Sequence, residues 1–194
     1  MKQDVFDNAT AATMPRPGSQ AQPGTPSNGD MQEMMKKAEA ASMPGPEHAA
    51  LEHFVGTWKA EVKCWMDPNS PPNQSQGTAE ARWILGGRFL EESFHGSFMG
   101  KPFHGRAILG FNKVKQTYQS VWIDDMSTSM FVSEGQGDGK VITLEGRASC
   151  PATGRTDISM RVVYRVLGPN QHIFEMLDGS KDFAKTMEIS YTRQ

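Results

Sequence analysis

From residue 56 to residue 193 the chain is a succession of short segments of alternating character, each stopped by a turn. Few folds accommodate that pattern. Successive residues of a strand point to opposite faces, so alternation at period two marks a sheet with one buried side. Residues 58–65 (WKAEVKCW) set Trp58, Ala60, Val62 and Cys64 against Lys59, Glu61, Lys63 and Trp65. Further strands are expected over 78–85, 88–98, 103–111, 116–124, 127–133, 141–147, 156–167, 172–177 and 184–193. Turn-forming clusters separate many of them, among them GG at 86–87, MGKP at 99–102, GQGDG at 135–139, PATG at 151–154 and GPN at 168–170. Ten strands joined in order by short turns make an up-and-down antiparallel sheet. Closing that sheet removes its exposed edges, so an all-β barrel is the expected fold. Gly96 and Gly105, inside the third and fourth strands, fit bulges or bends that let the sheet curve.

The segment before the barrel reads differently. Residues 1–29 are rich in Pro, Gly, Ser, Gln, Asn and Ala. They hold too little apolar surface to offset the entropy of ordering, so a disordered tail is expected. Over 30–42 (DMQEMMKKAEAAS), Met31, Met34, Met35 and Ala38 share one helical face. Asp30 and Glu33 have the spacing of a capping box, and Pro44-Gly45-Pro46 ends the helix. Such a methionine face suits docking on the barrel, on a partner or on a second copy of the chain. A short second helix is expected over 46–54, with Pro46 in its first turn. The domain reading is therefore a tail over 1–29, an amphipathic helix and Pro/Gly linker over 30–45, and a barrel domain over 46–194.

Composition narrows the function classes. The net charge is −2, from 20 basic and 22 acidic residues that do not run in blocks, which argues against nucleic acid and anionic membrane as partners. Cys64 and Cys150 are the two cysteines, too few for a disulfide framework or a zinc site, and are expected as reduced thiols. The first residues lack the apolar core of a signal peptide, and no apolar run reaches the length of about 18 residues that a span needs. A soluble cytoplasmic protein is the expectation.

HAALEHFVGTW (48–58), WMDPNSPP (65–72), the run GTAEARWILGGRFLEESFHGSFMGKPFHGRAILGFN (77–112), WIDDMSTSMFVSEG (122–135), the PATG turn and MEISYTR (187–193) together resemble a bacterial family known as domain of unknown function 1579. The resemblance covers the region from about His48 to Arg193. It implies a calycin-like barrel, in the company of lipocalins, fatty-acid-binding proteins and nitrobindins. In that superfamily a Gly-x-Trp element opens the first strand after a short helix that plugs the barrel, and Gly56, Thr57 and Trp58 match it. The family supplies no activity. Nitrobindins hold haem through a histidine near the C-terminus, but AKTMEISYTR has none and His172 lies one strand earlier, so no cofactor is expected. Fatty-acid-binding barrels hold a carboxylate with interior Arg and Tyr; Tyr191 and Arg193 share a face, in the reverse order to that family's motif.

The expected function is binding of a small apolar or amphipathic ligand in the barrel. Its apolar wall is read as Trp83, Phe89, Trp122, Met130, Tyr164 and Phe174. Glu91, His95, Asp124, Tyr191 and Arg193 are the candidate polar contacts, while Gly56 and Trp58 are read as structural. Face assignment carries a known hazard, because a register error of one residue turns a whole strand inside out. An alternative is cavity chemistry by Glu91 or Asp124 paired with His95 or His104. A third reading is an interaction module with a filled barrel. No metal-ligand spacing or nucleophile motif is present, so no catalytic or metal residue is assigned.

Overall fold

The computed structural model describes residues 27–194. The tail expected over 1–29 lies outside the described residues as far as position 26. Helix α1 spans Asn28–Ser42, and α2 (Pro46–Ala49) runs directly into a 3-10 turn, Ala50–Phe54. Ten strands follow: β1 Gly56–Cys64, β2 Asn73–Ile84, β3 Phe89–Phe98, β4 Lys101–Asn112, β5 Thr117–Asp124, β6 Phe131–Gly137, β7 Val141–Cys150, β8 Arg155–Gly168, β9 Gln171–Asp178 and β10 Ala184–Arg193. Each strand pairs antiparallel with its sequence neighbours, and β10 returns to pair with β1, closing the barrel. The closure pairs Trp58 with Arg193 and Cys64 with Met187.

The alternation read in the sequence is the alternation of the wall. Trp58, Ala60, Val62 and Cys64 of β1 are buried, as are Ile158, Met160 and Val162 of β8. Two strands begin elsewhere than their composition suggests. β2 starts at Asn73, because the polar residues 73–77 complete the backbone ladder of β1 whatever their side chains. β6 starts at Phe131 rather than at 127, because Ser127 Oγ accepts from the Ser129 amide at 3.0 Å and folds those residues into a turn. The first helix also begins earlier than expected. Ser27 and Asp30 cap it reciprocally, with the Asp30 amide 3.3 Å from Ser27 Oγ and Ser27 N 3.1 Å from Asp30 Oδ2. Asp30 is thus the returning partner of the box and not its first residue.

α1 crosses a division between two compact units that falls after Lys36. Its last turn has no basic residue of its own. Lys113 Nζ donates to the carbonyls of Ala40 and Met43 at 2.7 and 3.0 Å, and Arg88 Nε donates to that of Ser42 at 2.8 Å. Two cations of the barrel therefore satisfy two of the orphan carbonyls at the helix end, those of Ala40 and Ser42.

The plug closes one barrel end. Leu51 and Phe54 are buried among Leu90, Leu109, Tyr118, Ile142, Leu144 and Val162. A second cluster, Val62, Ala79, Phe94 and Ile189 with Phe98, Phe103, Trp122 and Met187, runs towards the other end. Glycine makes room for the aromatic rings there. A side chain at Gly105 would meet the Trp122 ring at 2.2 Å, and one at Gly96 would meet the Phe94 ring at 2.8 Å. Close approach of a flat ring to bare backbone is the use of these two glycines.

Candidate functional site

On β3 the inward residues are Leu90, Glu92 and Phe94. Glu92 pairs across the wall with Ala81 of β2 and Ala107 of β4. Two methyl side chains flanking a carboxyl leave space, and a cavity of about 20 Å³ opens there. That volume holds about one water. Tyr164, His172 and Tyr191 face the carboxyl, and Phe54, Leu90, Ala107 and Leu109 complete the lining. Glu92 and Tyr164 are half-buried, and both border this interior cavity.

The electrostatics follow from enclosure. Burial raises the Glu92 carboxyl to about 7, only partly opposed by its hydrogen bond with Tyr191. Burial, then the Glu92 charge, pushes both tyrosine hydroxyls upward, and Tyr164 hydrogen-bonds Ser120. Burial lowers His172 to about 3, helped by His53 and Arg193 nearby, so the ring is neutral. Its ring stacks on Tyr191 at 4.4 Å and meets Trp58 edge-on at 4.4 Å, and its Nδ1 is buried without a partner. None of the eight lining residues is Lys or Arg.

The residues expected in the cavity separate into two groups. Trp83, Trp122, Asp124, Tyr164, Tyr191 and Arg193 lie on the inner face. Phe89, Glu91 and His95 do not, because Leu90, Glu92 and Phe94 take the inward positions of β3. Phe89 lies over Gly110, 38% exposed. Glu91 bridges Arg82 at 2.8 Å and Arg106 at 3.3 Å, and the Arg82 hydrogen bond holds its carboxyl below the usual range. Met130 sits in the exposed β5–β6 loop, whereas Phe174 packs inward on Tyr164 at 5.2 Å.

Only Tyr164 and Tyr191 of the named candidates line the cavity. Trp83 sits at the plugged end, its Nε1 donating to Glu52 Oε2 at 2.6 Å. Trp122 and Asp124 lie towards the opposite end; Trp122 Nε1 donates to Asp124 Oδ2 at 2.8 Å, and the ring stacks on Phe103. Arg193 fastens the plug. It donates to the carbonyls of Val55 at 2.7 Å and His53 at 2.8 Å while its guanidinium covers Trp58 at 4.1 Å. Trp58 Nε1 donates to the Phe54 carbonyl at 2.8 Å. Gly56, at φ +125°, leaves the space that the guanidinium fills.

The carboxylate–histidine pairing expected of a cavity enzyme is absent at Glu91 and Asp124. The pair that forms is His104 Nδ1 with Asp125 Oδ2, at 2.9 Å and exposed on the outer surface. His95 lies 5.0 Å from His104 beside a shallow outer groove of about 270 Å³ that Ser93, Arg106 and Ile123 also border. No group of three His, Cys, Asp or Glu among the described residues is placed to hold a metal. Among the described residues no helix is long and apolar enough to cross a membrane, and Cys64 and Cys150 are free. Sequence reasoning missed Glu92 and His172. The signal for Glu92 was its flanking pair, Leu90 and Phe94, more apolar than the Phe89 and Ser93 beside Glu91.

A closed antiparallel ten-stranded barrel, plugged at one end, is the architecture expected of a calycin-like protein. Residues 43–193 match the sequence profile of the family described as protein of unknown function DUF1579, and the chain belongs to that family. No match was found among the curated proteins. Among solved structures, the chain is similar to Rv2717c from M. tuberculosis at 18% identity and a TM-score of 0.56, covering 78% of this chain and 99% of that one. It is also similar to a de novo designed fluorescence-activating barrel at 14% identity and a TM-score of 0.44, covering 75% of this chain and 97% of that one.

Proposed function

We propose that the barrel binds a small amphipathic ligand, with the polar end at Glu92 and the two tyrosine hydroxyls and the apolar part directed towards the unplugged end. One observation carries this reading: a carboxyl buried inside the barrel, beside a cavity, with no cationic partner among the described residues. Burying such a group costs stability, and a folded chain with only packing to satisfy would do better with an apolar residue there. The path towards the unplugged end also supports it. Phe98, Phe103, Trp122 and Met187 are only partly buried, so that half of the interior is apolar without being sealed. The cavity as it stands takes a group of about the size of water, so the apolar part enters by displacing these side chains, Trp122 first.

Native mass spectrometry of the protein isolated from its own host tests the reading. A mass excess lost on denaturation is expected. A bare chain mass, together with no thermal shift from a panel of small amphiphiles, would sink it.

A further inference from the structure

We infer that the ligand is a cation, an alkylammonium or related protonated amine whose charge pairs with Glu92. The inference rests on the ligand-binding reading and adds the charge of the ligand to it.

The geometry excludes the opposite sign. Arg193, on the inner face, is spent on the plug carbonyls and Trp58, while Arg82 and Arg106 pair with Glu91, and Arg161 with Glu145 at 2.7 Å, on the outer surface. A carboxylate or phosphate entering the cavity would meet Glu92 and the neutral ring of His172, and no Lys or Arg among the described residues that line it. A fatty acid is therefore the wrong ligand, although Tyr191 and Arg193 share a face; Arg193 is turned to the plug. An ammonium group meets three oxygen-bearing groups instead, the Glu92 carboxyl and the hydroxyls of Tyr164 and Tyr191. It has three N–H donors and no acceptor, which matches a carboxylate and two hydroxyls that can turn their lone pairs inward. The low dielectric of the enclosed site strengthens the pairing.

The titratable groups around Glu92 make the binding pH-dependent in a defined sense. Tyr191 from β10, Tyr164 from β8 and His172 from β9 face it, and β2 and β4 contribute alanines. The tyrosines stay protonated and His172 stays neutral through the neutral range, so Glu92 is the group that titrates. An ammonium ion binding to the protonated acid expels its proton to solvent. An alcohol does not.

Calorimetry with three probes, hexylammonium, hexanol and hexanoate, tests this at pH 6 and pH 8. Hexylammonium is expected to bind about tenfold more tightly at pH 8 than at pH 6, as the ionised fraction of Glu92 rises. At pH 6 it should release close to one proton, read from buffers of different ionisation enthalpy. Hexanoate is expected not to bind. Glu92→Gln, which keeps shape and hydrogen bonding, should weaken hexylammonium by at least about tenfold and leave hexanol within about twofold. Hexanol binding without hexylammonium binding, or hexylammonium binding that ignores both pH and Glu92→Gln, overturns the cation inference while the ligand reading stands. Failure of all three probes, with a bare native mass, overturns both. The proton count uses the wild-type chain, so the test does not depend on how the variant folds.

Discussion

Glu92 and His172 share a cavity lining and pull stability in opposite directions with pH. The folded-state value of Glu92 is raised from 4.5 to about 7, so between those values the folded chain binds more protons than the unfolded one. Stability therefore falls as pH rises through that window, and the loss is complete above pH 7. His172 is lowered from 6.5 to about 3, so there the unfolded chain binds more protons and stability rises with pH until 6.5. From about pH 4.5 to 6.5 the two effects oppose each other, and their contributions to the wild-type stability curve largely cancel. Glu92→Gln removes one of them. The expected outcome is a stability difference in favour of the variant that grows by about 3 kcal/mol between pH 4 and pH 8, checked by urea unfolding at each pH. A constant difference across that range would show that the carboxyl is not enclosed as described.

The plug is an element with little secondary structure of its own, four residues of α-helix and a 3-10 turn. Gly45 N donates to His48 Nδ1 at 3.1 Å at its start, and Arg193 and Trp58 hold its end. Its position thus depends on side chains of β1 and β10, the two strands that close the barrel. Arg193→Met keeps the apolar stem but strands two carbonyls, and is expected to cost about 2–3 kcal/mol by denaturant midpoint. Arg193→Lys should recover only part, because one ammonium cannot reach both carbonyls and cover the indole as the planar fork does. Gly105→Ala tests the opposite end. The added methyl collides with the Trp122 ring, and a loss of about 1–3 kcal/mol is expected, with a red-shifted tryptophan emission as the ring moves towards solvent. These strands also show which parts of an element the sequence conveys. Alternation placed β8 and β10 almost to the residue, but β2 and β6 began where backbone pairing and a serine turn dictated.

For the whole molecule, the division after Lys36 separates the methionine face of α1 from the rest. Met31, Met34 and Met35 are 48–68% exposed, and so form an apolar stripe suited to a partner or a second copy. Removing residues 1–36 keeps the Ala40, Ser42 and Met43 carbonyls that Arg88 and Lys113 engage. The truncated chain is expected to melt within about 2 °C of the full one. If the stripe mediates self-association, light scattering will show a lower subunit number; an unchanged number excludes that role. The sequence by itself determined the barrel, because period-two alternation and turn residues are local properties repeated ten times and errors of a few residues do not accumulate. It also conveyed a short helix before the first strand, over 46–54, while the plugging role of that helix came from the family resemblance carried by Gly56-Thr57-Trp58. Tertiary structure decided which of two adjacent glutamates faces inward, a choice the sequence marked only by the more apolar flanks of Glu92. Glu91 and Glu92 differ by one step of a pleat, and the choice rests on cross-strand partners: Arg82 and Arg106 outside for Glu91, Ala81 and Ala107 beside the cavity for Glu92. Those partners lie about ten to fifteen residues away along the chain, and only the closed register brings them alongside.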